Sequence, residues 1–140
     1  MAETSEILHG LIDVPKDEAA LLLETGYLYM EMGRPKEAED VFTGVAALLP
    51  DSDVPRVALG NLQFSQGRFQ RALKHHQEAL KARPDSAIAQ AHIGEALLFM
   101  KRHDDGLKAL NQAIEMDPDG PAAAFARALI AAYEDGALHS

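Results

Sequence analysis

An all-helical solenoid is the fold class this sequence predicts, and three observations predict it. Gly26, Gly60 and Gly94 stand at a fixed spacing of 34 residues, and Pro50, Pro84 and Pro118 repeat the same spacing further along. The small residues Ala38, Ala72 and Gly106 fall in step between them. A helix-turn-helix unit of this length cannot bury its apolar side alone, so the units must stack on one another.

The phase of the pattern sets the boundaries: residues 19–52, 53–86 and 87–120 form three units. Their seams are nearly identical in text, Pro50-Asp51-Ser52, Pro84-Asp85-Ser86 and Pro118-Asp119-Gly120. Proline ends one helix there, and Asp or Ser is suited to cap the next. A second break falls inside each unit at Gly33-Arg34-Pro35, Gln66-Gly67-Arg68 and Lys101-Arg102-His103, where the chain turns between two helices. In the first helix Ala20, Leu23, Tyr27 and Met30 recur on one face, while Leu21, Leu22, Thr25, Leu28 and Tyr29 supply a second apolar side, which predicts burial on more than one face. Its mate is expected over 36–49, with Val41, Phe42, Val45 and Leu48 inward, and the equivalent outer helices over 70–83 and 104–117.

Residues 121–135 begin with Pro121 and continue in strong helix formers, so they predict a single helix that covers the open end of the array. Residues 136–140 form a tail. The N-terminal segment, 1–18, carries an apolar stripe of Ile7, Leu8, Leu11 and Ile12. Two alternatives stay open for it: a short helix packed on the first unit, or a tail that orders with a partner.

The chain has 140 residues, 47% of them hydrophobic, and no cysteine. Disulfide frameworks, thiolate metal sites and thiol nucleophiles are therefore excluded. No apolar run is long enough to span a bilayer, and the expected location is the cytoplasm. A net charge of -9 argues against nonspecific binding to nucleic acid or to an anionic membrane. Residues 53–86 are nevertheless basic, with six Lys or Arg against three acids. Arg68, Arg71, Lys74 and Lys81 recur along one side of the expected outer helix, where they either attract an acidic partner or make up a solvated face.

These residues resemble the tetratricopeptide repeat pattern over 19–120. Gly26, Tyr29, Ala38, Phe42 and Pro50 fit it in the first unit, Leu59, Gly60, Ala72, Ala79 and Pro84 in the second, and Ile93, Gly94, Leu97, Ala113 and Pro118 in the third. Leu22, Arg56 and Gln90 stand where the family has a large aromatic, Val45 and Gly106 where it has alanine, and His76 where it has phenylalanine. The resemblance implies an all-α solenoid of three repeats with a capping helix, in which each glycine marks a close approach of a first helix to its mate.

No nucleophile with an obvious base, phosphate-cradling loop or recognisable acid pair is present, so the sequence points to a noncatalytic protein without cofactor or metal. His75 and His76 are adjacent and point apart by about 100 degrees on a helix, which prevents both from gripping one ion. His92 and Glu95 share a face and are expected to form a polar contact within the stack.

Function then falls to the concave surface. The resemblance implies that it is lined by Ala20, Leu23, Tyr27 and Met30, by Val54, Val57, Asn61 and Phe64, and by Ile88, Ala91, Glu95 and Leu98, with His92 beside them. Ala20, Val57 and Ala91 are read equally well as interhelical core, and Tyr27, Met30, Asn61 and Phe64 are the favoured contacts. Family members that grip chaperone carboxylates place Lys, Asn and Arg where this chain has Leu23, Tyr27, Ala58, Ile88 and His92, so such a clamp is not expected. The groove suits an amphipathic helix or an extended peptide with apolar anchors, which makes the protein a binding module or chaperone for a protein partner. Size and groove character are similar to the tetratricopeptide chaperones of type III secretion. Self-association of acidic flanks with the basic middle repeat is the alternative.

Overall fold

The computed structural model describes residues 16–138. Seven helices run through them: α1 (Lys16–Glu31), α2 (Pro35–Leu48), α3 (Val54–Ser65), α4 (Phe69–Ala82), α5 (Ala87–Phe99), α6 (His103–Met116) and α7 (Pro121–Glu134). Each packs on the next in sequence, and α1, α3, α5 and α7 also touch one another in succession. Those four form an inner row, with α2, α4 and α6 outside. No helix among the described residues is long and apolar enough to cross a membrane.

Stacking rests on the small residues that the spacing singled out. A side-chain carbon added at Gly26 would overlap the Phe42 ring, one at Gly60 the His76 ring, and one at Gly94 the Leu110 side chain. Each inner helix therefore lies against its mate more closely than alanine would permit. Ala38, Ala72, Ala79 and Ala113 are fully buried, as are Phe42 and Leu110. Burying a side chain of the size of Phe42 contributes about 2–3 kcal/mol, and the close fit adds dispersion contacts.

The turn inside each repeat is built one way three times. Gly33, Gly67 and Lys101 adopt positive φ of 72°, 74° and 66°. In the first, the Gly33 N–H donates to the Met30 carbonyl (3.0 Å) and the Arg34 N–H to that of Tyr29 (2.9 Å), which satisfies the last carbonyls of α1. Gly67 with Arg68, and Lys101 with Arg102, repeat that pair of bonds. At the seam between the second and third repeats, Ser86 accepts from the Ala89 N–H (3.2 Å) and caps α5, while its hydroxyl donates to Asp53.

Three expectations are corrected. The outer helices begin and end one residue earlier than predicted, because Pro35 is itself the first helical residue of α2. Leu48 points outward and is exposed, since it lies in the last turn of α2, beyond the packing contact with α3. The second apolar side of α1 is open as well: Leu21, Leu22 and Leu28 are 63%, 40% and 55% exposed, because among the described residues α1 heads the inner row and packs on α2 and α3. The expectations for residues 1–15 lie outside the described residues.

Replacing Gly67 with alanine is expected to cost about 1 kcal/mol, since nothing crowds the site and only its left-handed backbone opposes a side chain. The check is the urea midpoint followed by circular dichroism, with the helical signal of the native state unchanged.

Candidate functional site

The inner row presents one residue after each packing glycine: Tyr27, Asn61 and Glu95. The Asn61 Nδ2 donates to the Tyr27 hydroxyl at 3.0 Å, joining α1 to α3 across the face of the row. Partial burial raises the phenol's pKa, with the Asn61 bond opposing, so Tyr27 stays neutral and keeps its own proton to donate. Its ring leans on Phe42 at 5.0 Å between centroids, which fixes its direction. Val54 is 51% exposed and Ala20 is also exposed, and together with Tyr27 they give this end of the row an accessible apolar surface. Leu23 and Met30 are half-buried and pack down on Phe42, Ala58 and Leu62.

Further along, the surface changes character. His92 Nδ1 lies 3.0 Å from Glu95 Oε1, the polar contact expected within the stack, and both side chains are mostly covered. Phe125 of α7 closes over His92, with ring centroids 4.9 Å apart. Ile88 is half-buried against two core clusters. Leu98, expected on the groove, is 1% exposed and belongs to the core with Leu110, Ala122 and Ala126. The reason is α7, which continues the inner row and covers the end of the third repeat. Val57 and Ala91 are core too. Phe64 is half-buried and engaged with Phe69 and Phe99 at 5.0 and 4.9 Å, an aromatic cluster where the turns meet. The open part of the surface thus lies on α1 and α3.

Two features escaped the sequence reading. One is the cleft lined by Gln63 and Arg68. The other is that His76 and His92 stack at 4.8 Å with planes 14° apart, His76 being fully buried with neither ring nitrogen hydrogen-bonded. Its occurrence at a phenylalanine position was the available signal. Burial, followed by the neighbouring His92 and His75, pushes its pKa down to about 3. No group of three or more His, Asp or Glu among the described residues is arranged to hold a metal ion.

A histidine whose folded pKa lies below its unfolded value contributes instability as pH falls, because the unfolded chain takes up the proton first. Stability should therefore decline from about pH 6.5 towards pH 3, by up to roughly 1.4 kcal/mol per pH unit from this group. Replacing His76 with phenylalanine, the residue at the equivalent Phe42, removes that component. Urea midpoints at several pH values should show a flatter profile in the variant, and identical slopes would refute the assignment.

Comparison with known proteins agrees with this architecture. The chain is similar to the Hsp70-Hsp90 organizing protein of Triticum aestivum, at 32% identity over 44% of the chain and 11% of that protein. Across the curated relatives it matches, it spans only 4–16% of their length. Among solved structures it is similar to the first TPR of Spaghetti bound to the HSP90 peptide SRMEEVD, with a TM-score of 0.70, 21% identity and coverage of 86% and 99% of the two chains. It is likewise similar to the Yersinia enterocolitica type III secretion translocator chaperone SycD, with a TM-score of 0.74, 17% identity and coverage of 89% and 96%. Family models described as tetratricopeptide repeat match residues 63–132 and residues 20–52, and the chain belongs to the tetratricopeptide repeat family.

Proposed function

We propose that this chain is a noncatalytic interaction module that binds an amphipathic helix or an extended peptide of a protein partner on the inner faces of α1 and α3. One observation carries the reading: Tyr27 and Asn61, tied by their hydrogen bond, sit on a surface where Val54 and Ala20 leave apolar area exposed. A partner's apolar side chains gain about 25 cal/mol for each Å² removed from water there. The Tyr27 hydroxyl proton and the Asn61 amide oxygen offer fixed polar points for main-chain groups. Leu23, Met30, Ile88, His92 and Glu95 border this surface, while Phe64 supports it through the aromatic cluster. The relative bound to an HSP90 peptide supports a peptide ligand of some kind. Leu23, Tyr27, Ala58, Ile88 and His92 leave the carboxylate-clamp positions without a lysine or arginine, so apolar anchors take the place of a cationic grip.

A second reading has its own observation. The open side of α1, with Leu21 and Leu28 exposed, offers a surface on which two copies can associate. Light scattering on Leu28→Lys measures it: the reading requires the unaltered chain to be dimeric and the variant monomeric.

For the leading reading, peptides selected from a random display library should carry two apolar anchors. Binding of such a peptide should fall about tenfold on Val54→Asp, an exposed position whose substitution leaves the fold intact. Equal binding by Val54→Asp and the unaltered chain would remove the basis for placing the ligand on this face.

A further inference from the structure

The three repeats are identical in frame, and that makes their differences at the inner turn informative. Arg34, Arg68 and Arg102 occupy the same place in each. Arg34 pairs with Glu37 at 2.6 Å and Arg102 with Asp105 at 2.9 Å, each three residues on. Three residues after Arg68 stands Arg71, a second cation. Among the described residues, the Arg68 guanidinium has no hydrogen bond or ion pair.

The residue whose carbonyl accepts that arginine's backbone N–H differs too. The first repeat has Tyr29, with the Arg34 guanidinium 5.1 Å from its ring centre, and the third has Leu97. The second has Gln63, only 3% exposed. Its Nε2 reaches Glu39 at a long 3.5 Å, and its Oε1 has no hydrogen-bond partner at all. An unpaired amide oxygen at such depth costs about 1–3 kcal/mol, and a ligand N–H that reached it would offset that cost.

Gln63 and Arg68 line one cleft between the start of α2 and the end of α3, with Lys36 and Glu39 on the α2 wall and Gln66 beside them. Cations lie at the rim, a buried acceptor lies in the wall, and Glu39 is the one carboxylate. A simple anion would pair with Arg68 and Lys36 but could not satisfy Gln63. A peptide offers both kinds of group, a carboxylate side chain for the rim and main-chain N–H donors for Gln63 and Glu39. The field favours it, since residues 53–86 are basic in a chain of net charge -9.

We propose that this cleft is a second binding site, which takes an acidic peptide segment of a protein partner with a carboxylate on Arg68 and an N–H donor on Gln63 Oε1. It is separate from the inner surface. Asn61 and Gln63 are two residues apart on α3 and point about 200 degrees apart around its axis.

Fluorescence anisotropy with a short labelled peptide of alternating glutamate and glycine tests it. The unaltered chain should bind this peptide, and its glutamine counterpart should fail to compete. Arg68→Glu should weaken binding by about tenfold, and Gln63→Leu, which installs the residue of the third repeat, by about fivefold. Val54→Asp, on the inner surface, should leave it unchanged. Three results would overturn the site: no binding by the unaltered chain, undiminished binding by a folded Gln63→Leu, or loss of binding in Val54→Asp. The second would mean a diffuse basic surface, and the third that the peptide occupies the inner row. Because Arg68 is exposed, Arg68→Glu retains the fold, and where Gln63→Leu does not fold, undiminished binding by Arg68→Glu overturns the site in its place.

Discussion

The close approach of each inner helix to its mate is the constraint on which the rest of the structure depends. Gly26 meets Phe42, Gly60 meets His76 and Gly94 meets Leu110, and at none of these is there room for one more carbon. That distance fixes how far each outer helix stands from the inner row, and so which of its residues reach the next repeat. Ala38 and Ala72 are buried at equivalent points for the same reason, and Gly106 follows them with Leu98 pressed against it. Larger side chains at these points would separate the layers and expose the apolar stripe that stacking covers.

Given that frame, the second repeat is where polar chemistry enters the interior. His76 fills the place of Phe42 and Leu110, and Gln63 that of Tyr29 and Leu97. Both are buried, and both carry ring or amide atoms without a hydrogen-bond partner. Each lowers stability relative to an apolar residue of similar size, since a buried polar atom loses water and here gains nothing in return. The repeat tolerates them because Gly60, Ala72 and Ala79 preserve the helix spacing around them. Its exposed side departs in parallel, with Arg71 replacing the acid that pairs the turn arginine elsewhere.

Most of the fold was legible in the sequence because its cause is periodic. Glycine, alanine and proline at one spacing encode helix contact, helix contact and helix end, and each is a local steric requirement. What the sequence withheld depended on neighbours. Leu98 has the position of a groove residue, yet α7 continues the inner row and buries it. Leu21, Leu22 and Leu28 look like core, yet they face away from α2 and α3 and are exposed. Phe64 was expected as a groove contact, and it is part of a cluster assembled from three helices or helix ends. The His76–His92 stack joins two repeats, so no single repeat reveals it. Gln63 was visible by aligning it with Tyr29 and Leu97, but its unpaired oxygen appears only once α2 is placed beside it.

The two candidate surfaces share α3, one on each side, and that arrangement has a thermodynamic consequence. In a stacked array each repeat is held by its own packing and by its immediate neighbours, so stabilisation of one repeat passes to the next through their interface. The second repeat contains the unpaired atoms of Gln63 and His76, so a ligand has scope to raise its stability. A donor on Gln63 would remove a local cost from α3, the helix that also carries Asn61. Asn61 holds Tyr27 in place across the first interface, while His76 meets His92 across the second. Firming α3 from the cleft side would therefore order the inner surface without touching it, coupling the sites through stability and not through a change of shape.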